Sequence, residues 1–71
     1  MDFLLHLEGT KFAIEAKAAE EVVDDDASAL TQVKAYLPDA KAYIFHSGTK
    51  ARKVGGIWAL PLAEGLEEIG L

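Results

Sequence analysis

Two largely apolar segments, Phe3–Leu7 and Phe12–Ala16, lie on either side of Glu8-Gly9, and this predicts a β-hairpin. A two-residue loop ending in Gly suits a type I′ turn, which needs positive φ at both central residues. The register follows from that loop: Leu7 faces Thr10, Leu5 faces Phe12, Phe3 faces Ile14, and Asp2 falls opposite Glu15. Directly opposed side chains share a face, with Cβ atoms roughly 4.5–5.5 Å apart. Lys17, two residues beyond Glu15, projects to the same side, whereas Phe12, Ile14 and Ala16 project to the other. The second strand is apolar enough to be interior, so Glu15 and Lys17 on it are costly without a task.

Helical spacing comes next. A helix is expected from about Ala27 to Leu37, with Ala29, Leu30, Val33 and Leu37 as its apolar face and Tyr36 packing at its border. Asp26 is the expected N-cap, and the run Asp24–Asp26 suits the positive end of the helix dipole. Pro38-Asp39 stops the helix. Tyr43, Ile44 and Phe45 then make Lys41–Ser47 a buried strand, parallel to a neighbour across the preceding helix. Gly48–Gly56 reads as a basic, glycine-containing loop in which Lys50, Arg52 and Lys53 are solvated. Ile57–Leu60 is another short strand, with Trp58 as a packing residue. Pro61 opens a last helix, with Leu62, Leu66 and Ile69 on one side and Glu64, Glu67 and Glu68 on the other. Gly65 weakens that helix. The fold class is α/β, with a mixed sheet.

The chain has 71 residues, which allows one domain, and a chain of this length buries only about 60% of its unfolded surface. It has no cysteine, which excludes a disulfide framework and a cysteine-ligated zinc and is compatible with a reducing cytoplasm. No apolar run approaches the roughly 20 residues of a membrane helix, and Met1-Asp2 is not a basic signal-peptide start. The net charge of −5 works against a free-standing nucleic-acid binder. Much of that excess sits in Asp24–Asp26 and in Glu64, Glu67 and Glu68, away from the hairpin. His6 and His46 have no partner at ligand spacing and are read as structural or surface residues.

Two carboxylates at Asp2 and Glu15 repel each other unless a cation lies between them, and Mg²⁺ or Mn²⁺ prefers such hard oxygen ligands. With Lys17 beside them, the trio points to metal-dependent hydrolysis of a phosphodiester. The aspartate followed by Glu15-Ala16-Lys17 across a hairpin resembles the PD-(D/E)XK nuclease superfamily. Further similarity lies in Ala13–Ala18, the helix ending Lys34-Ala-Tyr-Leu-Pro38, Ala42–His46 and Ile57–Leu62. Together these segments look like the C-terminal nuclease-like domain, of unknown function, of bacterial AAA-type ATPases.

The resemblance implies a restriction-endonuclease-like fold with Asp2, Glu15 and Lys17 as catalytic residues and Asp2 and Glu15 as metal ligands. Gln32 and Tyr36 match the Gln-x-x-x-Tyr pattern of RecB-like nucleases, which implies supporting roles for both. The superfamily core carries a helix and a strand before its motif aspartate, where this chain has only Met1. The chain is therefore expected to be a partial core: a fragment of a larger fold, or a reduced protein whose sheet is completed by a second copy. Expected partners are nucleic acid, an ATPase in the same or a partner chain, and a homodimer mate, with no membrane. The rival expectation is a non-catalytic interaction or dimerisation module that keeps the nuclease architecture.

Overall fold

A computed structural model describes residues 2–19 and 27–71, with Asp2 placed by its backbone. Strand β1 (Asp2–Leu7) and strand β2 (Thr10–Lys17) form the antiparallel hairpin, in the register expected from the sequence, with Asp2 opposite Glu15. The turn has φ of 48° at Glu8 and 83° at Gly9, the left-handed pair a type I′ turn requires. Gly9 takes this conformation without a Cβ penalty, which is why the loop closes in two residues.

Helix α1 (Ser28–Tyr36) leads to strand β3 (Lys41–His46), parallel to β2 with Glu15 beside Ile44 and Lys17 beside His46. The helix N-cap is Ala27, with no side-chain capping hydrogen bond; Asp24–Asp26, including the expected cap, lie outside the described residues. Thr31 Oγ1 donates instead to the Ala27 carbonyl at 3.0 Å. The covered side of α1 is set by Ala27 and Leu30, with Val33 and Leu37 half-buried as expected, while Ala29, also expected there, is exposed. Tyr36 does not pack at its border: it is 87% exposed.

The segment expected to be a basic loop contains a short edge strand. Strand β4 (Arg52–Val54) turns through Gly55-Gly56 into strand β5 (Ile57–Pro61) and pairs with it antiparallel. Its polar residues hid it: Arg52 and Lys53 are exposed, and Val54 alone enters the core. β5 lies parallel to β3, and the five-stranded sheet has the order β1-β2-β3-β5-β4. Helix α2 (Leu62–Glu68) follows directly from Pro61.

The helices cover opposite faces of the sheet. Under α1 lies a cluster of Ala13, Ala27, Leu30, Ile44, Val54, Ile57 and Ala59. Under α2 lies a second cluster of Phe12, Ile14, Phe45 and Ile69. Gly65 is buried in α2, and a Cβ there would stand 2.5 Å from the Phe45 ring. The glycine that lowers helix propensity is what lets α2 approach the sheet. Leu62, Leu66 and Ile69, expected on one side of α2, all line an apolar groove with Phe3 and Leu5, in which Leu62 and Leu66 are 56% and 37% exposed. No helix among the described residues is long and apolar enough to cross a membrane.

Candidate functional site

The expected site is built on β2, an interior strand with β1 on one side and β3 on the other. Alternation along β2 sends Ala13, Glu15 and Lys17 to the α1 face and Phe12, Ile14 and Ala16 to the α2 face, as the two core clusters record. Asp2 faces Glu15 across the hairpin. Counting from the closing pair Leu7–Thr10, this is a non-hydrogen-bonded pair, in which Cα atoms approach to about 4.5 Å. Glu15 and Lys17 are both half-buried.

Position along the sheet matters as much as face. β2, β3 and β5 run parallel, and Lys17, His46 and Pro61 form the last row at their carboxyl ends. In open α/β sheets ligands bind outside the carboxyl ends of parallel strands, where loops diverge and backbone groups are free to turn toward a ligand. Beyond this row the chain is still tied to the sheet, since the Ser47 N–H donates to the Ala19 carbonyl at 3.1 Å.

His46 adds a group that the sequence spacing did not single out. It is 4% exposed, sits beside Lys17 in the register, and shares the α1 face with Glu15. The Gly48 N–H donates to His46 Nδ1 at 3.0 Å. In the neutral ring the remaining proton therefore sits on Nε2, so His46 offers a donor to an oxyanion rather than a nitrogen lone pair to a metal. Locating it required the β2–β3 register, which no short loop fixes.

Gln32 and Tyr36 are both exposed on α1 and outside the clusters that anchor the helix. His6 is exposed on β1. Among the described residues no group of three or more His, Cys, Asp or Glu side chains could hold a metal ion. The two ligands expected from the sequence, Asp2 and Glu15, are register partners on β1 and β2. A pair of carboxylates is a set that Mg²⁺ can use, since that ion keeps several waters and typically takes one or two carboxylates plus substrate phosphate, whereas a structural zinc needs four protein ligands.

The sheet thus places Glu15, Lys17 and His46 on one face toward the carboxyl ends of its parallel strands, with Asp2 the register partner of Glu15. Comparisons with known proteins found no match to the chain among family models, curated proteins or solved structures.

Proposed function

We propose that this chain is a nuclease-like domain of the PD-(D/E)XK type that hydrolyses phosphodiester bonds of nucleic acid with Mg²⁺ or Mn²⁺. One observation carries the reading: Asp2 opposes Glu15 in the hairpin register, with Lys17 on the same face at the carboxyl end of the parallel strands. Asp2 and Glu15 are the ligands. A bound ion there would polarise the phosphodiester and acidify a coordinated water. Lys17 offsets negative charge building on the phosphate, and its half-buried position strengthens that effect over a fully solvated ammonium. His46 Nε2–H is a second donor on that side. Gln32 and Tyr36, exposed on α1, contact substrate only outside the core of the site.

The net charge of −5 makes a basic partner region necessary for tight nucleic-acid binding, and an ATPase in the same or a partner chain is the proposed source. The test is cleavage of labelled single-stranded DNA, duplex DNA and RNA with Mn²⁺ at low ionic strength. Wild type should cut at least one substrate, and Lys17→Ala should lower the rate by about 100-fold or more, the scale of a lost transition-state donor. Cleavage that persists unchanged in Lys17→Ala would refute the assignment.

A second reading, a non-catalytic module that pairs with another copy, is favoured by β1. It is an edge strand of the described sheet, and it exposes Phe3 at 43% and Leu4 at 65%. An apolar edge of this kind recruits another strand.

A further inference from the structure

The face opposite the candidate nuclease site carries its own concavity, of about 460 Å³, between α2 and strands β3 and β5. Its floor is aromatic. Tyr43 and Trp58 are register partners on adjacent parallel strands, and alternation puts both on the α2 face, one step from Phe45 and Leu60. Its wall is acidic: Glu64 and Glu68, one helical turn apart on α2, both line it. Trp58, expected to be a packing residue, is 46% exposed.

The structure assigns this concavity as a binding site for an organic cation, the guanidinium or ammonium of an arginine- or lysine-like group, held over Trp58 and Tyr43 and against Glu64 and Glu68. Three observations carry it. First, the Trp58 ring already draws a cation, because Lys53 Nζ, from the neighbouring β4 position, stands 5.9 Å from its centroid. That distance is at the outer edge of effective cation–π contact, about 6 Å, so a ligand can replace it by a closer one. Second, like charges at Glu64 and Glu68 repel across one turn of a short helix, and a bound cation relieves that strain. Third, the mixed lining selects the class of ion. A small, strongly hydrated metal ion gains nothing from two ring faces. A weakly hydrated, planar or alkylated cation uses both halves of the site.

Tyr43 fits the same picture. Burial and the Glu68 carboxylate raise its pKa above 10.0, which keeps its hydroxyl neutral.

Trp58 is the only tryptophan, so its fluorescence reports this site alone. Titration with acetyl-arginine amide represents a protein side chain, and titration with tetramethylammonium represents a free small cation, each against NaCl at equal ionic strength. At least one should saturate where NaCl does not, and the tighter of the two identifies the source. The Glu64→Gln/Glu68→Gln pair should weaken binding by about fivefold, two exposed charges being removed. Lys53→Met should tighten it by about twofold to threefold, because a competing cation leaves the ring. Circular dichroism of each variant should match wild type, since all three positions are exposed. Responses to both cations that match NaCl, or variants whose affinities equal wild type, would overturn the assignment. Neither outcome touches the nuclease reading, whose residues lie on the other face.

Discussion

Gly65 shows how a single position can be misread from propensity and understood from contact. A methyl group there would enter the Phe45 ring, so Gly65→Ala should destabilise the fold by about 1–3 kcal/mol although alanine is the better helix former. Urea unfolding checks it: a midpoint at or above that of wild type would mean that α2 can move away from the sheet at no cost. Tyr43 gives a second residue-scale expectation. With Tyr36→Phe as background, Tyr43 is the only tyrosine, and its absorbance titration should have a midpoint above 10.0, lowered by Glu68→Gln. The linkage has one sign. The folded pKa is raised, so the stabilisation is complete below pH 10.0 and is lost as pH rises through the folded value. His46 and Trp58 were illegible for a related reason. Whether an aromatic or an imidazole on a strand is covered depends on the strand or helix that arrives beside it, and neither residue carries that information.

At the scale of elements, legibility followed locality. The hairpin register was readable because a two-residue turn fixes every pair in it, from Leu7–Thr10 to Asp2–Glu15. The β2–β3 and β3–β5 registers were not, since parallel strands joined by crossovers have no such constraint. β4 was missed because three residues with two exposed cations carry no alternation signal. The apolar face of α1 keeps Leu30, Val33 and Leu37 as expected, and only Ala29 falls outside it, exposed, while Ala27 joins the core from the N-cap. Leu30 is 0% exposed in the α1-side core, so Leu30→Ala should cost about 2–5 kcal/mol. Tyr36→Ala, on the outer surface of the same helix, should change stability by less than about 0.5 kcal/mol. Thermal melts of the two variants separate these cases, and equal losses would contradict the orientation of the helix.

Across the whole molecule the two faces of one sheet carry different chemistry: a carboxylate–lysine–histidine end on the α1 side and an aromatic–acidic concavity on the α2 side. The α/β class and the mixed sheet were legible from the order of apolar segments. The pairing of the two chemistries back to back was not, because it depends on where α2 lands. The exposed β1 edge adds an expectation at this scale. If strand pairing there drives self-association, Leu4→Lys should shift a sedimenting dimer toward monomer, since an edge lysine opposes strand addition. A wild type that stays monomeric at high concentration removes that reading.

If Asp2 and Glu15, opposed in the hairpin register, form the proposed divalent-metal site, calorimetric titration with Mn²⁺ detects it. Saturable one-site binding by wild type is expected, abolished in Glu15→Ala and in Asp2→Ala with the fold retained by circular dichroism. Wild type and both variants taking up Mn²⁺ identically, or not at all, would contradict it.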